Sequence, residues 1–329
     1  MPNPSPDLDP TAPLQFVING AAGSQAAEAR REAIHTALQA AGRRGELHFC
    51  APQALAATAR QAAAQARASR SAVVAVGGDG TLNTVAQAAL AQGCPMGVVP
   101  QGTFNYFARS HGLPADPAEA VAVLLQARPQ PIRVAAVNEQ VFLVNASLGL
   151  YPDLLEDREA YKARFGRSRW VALWAGAMTL LRAQRQLRLH IEQAGRSREE
   201  RSLTLFVGHN RLQLAQLGMQ APAPPGHDAG LARITAVMLR PIGTAAMLRL
   251  MLQGALGTLG EADSVEHFEF KQMRVHPHRL AHRRGIKVAF DGEVTRMRGP
   301  LDFRLLEQPL YLLKPDPAAP LASPAGGAA

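Results

Sequence analysis

Cysteine is almost missing: Cys50 and Cys94 are the only two in 329 residues. Two thiols cannot build a disulfide framework, which points to a reducing compartment and a fold held by its packed core. Aromatic residues make up only 5% of the chain, and no run of 18 apolar residues occurs. The longest apolar segment, residues 170–181, is too short to span a bilayer and is bracketed by Arg167, Arg169, Arg182 and Arg185. Lysine is scarce as well. Lys162, Lys271, Lys287 and Lys314 are the only four among 35 basic residues, so arginine carries nearly all of the +9 net charge. That charge fits an anionic partner (a nucleotide, a nucleic acid or an acidic membrane surface), or an arginine-biased solvated surface, and does not choose between them. No basic motif interleaved with aromatics is present, so a nucleic-acid partner is not expected. There is no G-x-x-x-x-G-K-[ST] loop, no dinucleotide G-x-G-x-x-G and no G-x-S-x-G elbow, and Ser147 with His209 makes no recognisable hydrolase triad.

At this length and 47% hydrophobic composition, the chain can bury a large core, and two domains are expected. Residues 1–13 hold Pro, Asp and Asn without an apolar centre, the composition of a disordered leader and not of a signal peptide. Residues 316–329 are rich in Pro, Ala and Gly and read as a disordered tail.

The centre of the chain is Gly77-Gly78-Asp79-Gly80-Thr81-Leu82-Asn83. An apolar, β-branched run over residues 71–76 precedes it, and a helical pattern over 81–92 follows. A strand, a glycine turn and a helix N-terminus in succession let backbone N–H groups approach a phosphate, although the same signal alone also describes a plain tight turn. Two more strands end in similar loops. Residues 14–18 run into Asn19-Gly20-Ala21-Ala22-Gly23, and residues 96–99 into Pro100-Gln101-Gly102-Thr103-Phe104-Asn105. Helices are expected from Ser24 to about Ala41, over 54–68 and over 117–126, with another strand over 46–50. This alternation predicts an open, mainly parallel α/β sheet over residues 14–131, with ligand bound beyond the strand C-termini.

From about Arg133 the texture changes. Strands are expected over 132–137, 140–145, 187–192, 202–208, 233–239, 267–275 and 286–290, interrupted by a helix-length segment over 152–186. A C-terminal β-rich, antiparallel, sandwich-like domain over 132–308 follows, with Pro129-Gln130-Pro131 as the crossing point.

Phe290-Asp291-Gly292-Glu293 reads as a tight hairpin, which would also fix two carboxylates rigidly for Mg²⁺ or for a hydroxyl proton. His276, His278 and His282 lie close together, as a metal cluster or, with Arg274, Arg279, Arg283 and Arg284 around them, as a basic solvated loop. Trp170, Trp174, Met178 and Leu181 at helical spacing suit core packing or an acyl-chain groove.

Together these motifs resemble the diacylglycerol kinase catalytic-domain family, which includes soluble bacterial lipid kinases and the sphingosine kinases. The residues that carry the resemblance are Gly77 to Asn83, Pro100 to Arg109, the Asn19 loop, Val144-Asn145-Ala146-Ser147-Leu148-Gly149, Gly208-His209-Asn210, Asp228-Ala229-Gly230-Leu231, and Asp291-Gly292-Glu293 with Gly299-Pro300-Leu301. It spans roughly residues 14 to 315. The Gly-Gly-Asp-Gly piece is shared with NAD kinases and phosphofructokinases; the later pieces are more specific. The resemblance implies an α/β nucleotide domain followed by a β-rich lipid domain, with residues 309–315 returning to complete the first. It implies ATP-dependent phosphorylation of a lipid hydroxyl with Mg²⁺, by a cytoplasmic protein working peripherally at the inner face of the membrane.

By position, Asn19, Gly77, Gly78, Asp79, Gly80, Thr81, Gly102, Thr103 and Asn105 would hold ATP. Asp79, Asp291 and Glu293 would be catalytic, with Glu293 the general base and Asp291 and Glu293 the metal contacts. Arg158, Arg164, Arg167 and Arg169 would face anionic lipid, and a homodimer stays open. Two residues depart from the family pattern: Tyr106 stands where many members carry Asp, and Gly20 replaces Pro. The rival readings are a catalytically inactive lipid- or nucleotide-binding regulator and an NAD-kinase-like enzyme of a soluble substrate.

Overall fold

The structure, a computed structural model, describes residues 6–20, 24–101, 105–150, 152–153, 186–208, 233–243, 264–277 and 285–315. The chain divides into two units, Met1–Ile132 with Pro309–Ala329, and Arg133–Gln308.

The first unit is a six-stranded sheet flanked by helices. Its strands are β1 (Leu14–Asn19), β2 (Gly45–Cys50), β3 (Val73–Gly77), β4 (Met96–Pro100), β5 (Arg128–Ile132) and a strand from the chain's end, β18 (Leu310–Lys314), in the order β2-β1-β3-β4-β18-β5. All neighbours are parallel except β18 and β5. β3 and β4 are buried along their whole length, which is why they read as unbroken apolar runs, not alternating ones. The helices are α1 (Ser24–Ala40), α2 (Leu55–Ala68), α3 (Asp79–Gln92), the short α4 (Tyr106–Ser110) and α5 (Pro117–Gln126). Leu55, Ala59, Ala62, Ala63 and Ala66 form the buried stripe of α2 at helical spacing. α5 starts on a strong local signal: the Asp116 carboxylate accepts the N–H groups of Ala118 and Glu119 at 2.9 Å each, with Pro117 in the first turn. Phe16, Ile18, Val74, Val76, Val99, Leu124 and Leu313 belong to one buried cluster.

The second unit holds two six-stranded sheets, antiparallel at every pairing. One runs β10 (Arg196–Ser202), β9 (Leu187–Gln193), β14 (Gln272–Pro277), β17 (Leu301–Leu305), β6 (Ala135–Val137), β7 (Gln140–Phe142). The other runs β13 (Val265–Phe270), β12 (Ile234–Leu239), β11 (Thr204–Gly208), β8 (Asn145–Gly149), β15 (Ile286–Phe290), β16 (Glu293–Met297). Alternate residues of both sheets, among them Leu189, Ile191, Val275 and Phe303 from the first and Leu148, Leu205, Val207 and Ile234 from the second, share one core. That is the packing of a sandwich. Gly149 is required where it stands: its φ is +85°, and a Cβ there would run into the Leu203 carbonyl.

Pro129-Gln130-Pro131 lies within β5, at the sheet edge where a strand tolerates proline because no further partner needs its missing N–H, and the two units divide just after it, between Ile132 and Arg133. Two expectations need correcting. Residues 267–275 are not one strand. The apolar phase slips at Lys271, from Phe268 and Phe270 to Met273 and Val275, and the chain leaves one sheet for the other there. Residues 140–145 likewise divide between β7 and β8, which belong to different sheets.

The Trp170 stripe, Arg158, Arg164, Arg167, Arg169, His209, Asn210, residues 228–231, His278, His282, Arg279, Arg283, Arg284 and the 316–329 tail lie outside the described residues. Among those described, no helix is long and apolar enough to cross a membrane.

Candidate active site

In the first unit the expected nucleotide residues gather at the C-terminal ends of β1, β3 and β4, where an open α/β sheet places its ligands. Asn19 closes β1, and its Nδ2 donates to Thr81 Oγ1 at 3.3 Å, so the first loop touches the first turn of α3. Gly77 ends β3 with its Cα against that turn; a Cβ there would lie 2.6 Å from Thr81 Oγ1. The Gln101 N–H donates to the Gly77 carbonyl at 2.8 Å, which joins the end of β4 to the glycine turn. Gly78 is the N-cap of α3 and brings no side-chain cap, so the first amides of that helix stay available to an anion. Gly102 and Thr103 lie outside the described residues.

Asp79 does more than the motif predicts. Its carboxylate accepts the backbone N–H groups of Tyr106 and Phe107, the first two residues of α4. The carboxylate of the glycine turn therefore sets the start of α4 and the Asn105 that precedes it, a left-handed residue at φ 47° and 7% exposed. Its other oxygen, Oδ1, is buried with no hydrogen-bond partner among the described residues. Burial pushes the Asp79 carboxyl up from its ordinary value, opposed by the two amides. A buried, unsatisfied acceptor beside uncapped helix amides fits a divalent ion carried on a nucleotide's phosphates. Among the described residues no group of three or more His, Cys, Asp or Glu is arranged to hold a metal by itself.

In the second unit the Asp291-Gly292 pair forms the expected hairpin. Phe290 pairs with Glu293, and φ is positive at both turn residues, 47° and 92°. The Asp291 side chain turns inward. Oδ2 accepts the Leu143 N–H at 2.6 Å, and Oδ1 accepts those of Val144 and Asn145 at 2.8 and 3.0 Å. Its own N–H donates to the Asn145 carbonyl at 3.0 Å. Three consecutive amides thus meet one carboxylate at the step from β7 to β8. Glu293, two residues on, is exposed as a residue, yet its carboxyl is desolvated enough by nearby protein to be raised above its ordinary value.

The sequence signalled the positions of Asp79 and Asp291 but not these backbone partnerships. The one local hint was Asp-Gly at a two-residue turn, which tolerates a left-handed aspartate.

Residues 13–137 match the family model described as the diacylglycerol kinase catalytic domain. A protein from Klebsiella pneumoniae strain 342 named "probable lipid kinase YegS-like" is 40% identical over 98 residues, 29% of this chain and 33% of that protein. One of the same name from Pseudomonas aeruginosa strain UCBPP-PA14 is 48% identical over 80 residues, covering 23% and 26%. The matched stretch thus spans about a third of these relatives' length or less. A solved structure described as a diacylglycerol kinase from Bacillus anthracis superposes with a TM-score of 0.63 at 18% identity, covering 93% of this chain and 97% of that one. This structural likeness establishes the two-part fold.

Proposed function

We propose, for a chain whose residues 13–137 belong to the diacylglycerol kinase catalytic-domain family, that the protein transfers the γ-phosphate of ATP to the hydroxyl of diacylglycerol or a related lipid alcohol. The observation that carries this reading is Asp79: one oxygen orders α4 while the other stands buried and unsatisfied beside the open amides of α3.

Phosphoryl transfer asks for positioning and charge neutralisation more than for covalent chemistry. The Gly77 to Thr81 backbone receives the phosphates, and Asn19 and Asn105 orient the nucleotide, with Gly102 and Thr103 as further nucleotide contacts. With no phosphate-loop lysine, the exposed Arg109 in the last turn of α4 supplies a cation. Mg²⁺, held by the nucleotide phosphates with Asp79 Oδ1, would neutralise the charge that builds on the transferring group. Glu293 takes the acceptor's proton. Burial raises its carboxyl above the ordinary glutamate value, which makes its ionised form a better base for a weakly acidic alcohol. Asp291 acts through its three amide bonds: it orients the hairpin that carries Glu293, and any metal contact it makes falls to the lone pairs left over. The protein works in the cytoplasm, peripherally on the inner membrane face.

The test is transfer of labelled γ-phosphate from ATP and Mg²⁺ to a total lipid extract resolved by chromatography, with Glu293→Gln run in parallel. A labelled lipid that disappears in the variant supports the reading. Label on NAD without lipid would turn it to a soluble acceptor, and ATP binding without any labelled product would turn it to a regulator.

A further inference from the structure

A cleft of about 760 Å³ lies in the second unit, formed by the turn between β9 and β10 and the corner at Lys271 where the chain passes from β13 to β14. None of its residues takes part in the chemistry above. Arg196, Arg233, Lys271 and Arg274 face it, from three separate stretches of chain, against the carboxylates of Glu192 and Glu269. Glu269 is paired, its Oε2 lying 3.7 Å from Arg233 Nε, while Glu192 Oε1 lies near two imidazoles, 3.2 Å from His276 Nε2 and 3.6 Å from His190 Nε2. Arg196, Lys271 and Arg274 make no ion pair and no side-chain hydrogen bond among the described residues.

The backbone that carries these cations is fixed. Ala194 and Gly195 form a two-residue turn with φ of 49° and 75°, and Gln193 pairs with Arg196 across it. A left-handed alanine is strained, and asparagine or glycine would suit that position better. Gln193 Nε2 donates to the Glu269 carbonyl at 3.0 Å, tying the turn to β13. The Lys271 carbonyl accepts the Leu305 N–H at 3.2 Å, which holds the corner. Arg274 stands opposite Glu192 in the β14–β9 register.

We propose that this cleft is a second, separate anion site that takes a phosphorylated group. Two guanidinium forks and an ammonium, free of internal partners, match a phosphate's several acceptor oxygens. The volume suits a ligand of headgroup or nucleotide size. The inference stands independently of the kinase reading. The phosphate reaches the cleft either on a soluble molecule or on the headgroup of an anionic lipid.

The experiment uses the full chain, with Lys271→Ala/Arg274→Ala and, as a control for loss of a surface cation elsewhere, Arg60→Ala on α2. Glycerol 3-phosphate is titrated by calorimetry, with ATP saturating the first unit's loops. Vesicles of phosphatidylcholine with and without phosphatidic acid are tested by co-sedimentation. Each removed cation should weaken binding about tenfold while Arg60→Ala leaves it unchanged. Loss confined to glycerol 3-phosphate identifies a soluble ligand, and loss confined to the anionic vesicles identifies a lipid headgroup. Binding of both probes unchanged in the double variant, or no binding of either probe to the parent chain, overturns the proposal.

Discussion

Asp291 Oδ2 accepts the backbone N–H of Leu143 at 2.6 Å, across 148 positions of sequence. With Val144 and Asn145 on the other oxygen, this contact makes a side chain at a hairpin turn the cap for three amides of a distant strand step. β8 and β15 are paired neighbours, so the clamp sits at the mouth of their ladder and sets where the hairpin ends. Asp79 does the same work in the first unit, where a glycine-turn carboxylate holds the start of α4. In both, a carboxylate of a chemistry-bearing motif is also a backbone cap.

Replacing Asp291 with Ala leaves three buried amides without their acceptor. An unsatisfied buried group costs about 1–3 kcal/mol, and the three share one site, so a loss of about 3 kcal/mol is expected. Thermal unfolding followed by circular dichroism should move down by roughly 6–12 °C. Asp291→Asn keeps one carbonyl acceptor and should fall between. A variant that melts with the parent would show that the clamp contributes nothing to the fold.

At Gly77 the constraint is spatial. A methyl there meets Thr81 Oγ1 at 2.6 Å and Thr81 Cβ at 2.7 Å, and Thr81 belongs to the helix turn that would receive phosphate. Gly77→Ala must shift α3 or β3, at a cost of about 1–3 kcal/mol. ATP affinity, read by calorimetry, should drop by at least about tenfold. Unaltered affinity would mean that the close approach of strand and helix is not what shapes the loop.

Much of this architecture was legible because burial on both faces writes itself as unbroken apolar runs, as in β3 and β4. The same logic missed β10, whose Arg-Ser-Arg-Glu-Glu-Arg-Ser holds no apolar residue and is strand only because β9 pairs with it. It also joined β13 to β14, since a one-residue slip of phase at Lys271 is easily passed over in a run of alternating residues. At the site, the glycine turn and the Asp-Gly hairpin announced themselves through local backbone demands. The partners of Asp79 and Asp291 did not, because a backbone amide carries no residue-type signal that could point to the carboxylate it meets.

The two thiols should be inert in the native state. Cys94 is 2% exposed and burial pushes its thiol up to about 11; Cys50 is 9% exposed and is raised for the same reason. At about pH 8 little thiolate forms at either, and access is closed as well. Iodoacetamide followed by intact-mass measurement should add nothing to the native chain and two groups after denaturation. A native adduct at Cys94 would reveal opening of the β3–β4 region.

The acid limb of turnover should report Glu293. As a base it must be ionised, so activity rises with pH through its pKa and levels above it. Burial raises that pKa, so the midpoint should lie above the ordinary glutamate value of about 4.3. kcat against pH over about 4–8 in the parent shows that limb, and Glu293→Gln should lower kcat by about 10²–10⁴ and erase it. A variant that keeps the same limb assigns the base elsewhere.

Asp79 sets the folded state against function, and the sign can be worked through. Its carboxyl is raised by burial above the value it has in the unfolded chain, so between those two values the folded protein holds more protons than the unfolded one. The stability this group contributes is fully present below the unfolded value and is lost as pH rises through the folded one. Asp79→Asn removes the charge while keeping an acceptor for the Tyr106 and Phe107 amides. The variant should therefore melt higher than the parent at about pH 7, with the gap closing as pH falls below the ordinary aspartate range. It should also lose most ATP-dependent turnover, because the orphaned oxygen becomes a donor. Tm and kcat moving in opposite directions is the expected signature, as for a group retained for function against its folding cost. A lower Tm at neutral pH would show instead that the charged hydrogen bonds to the α4 amides outweigh the burial of the carboxylate.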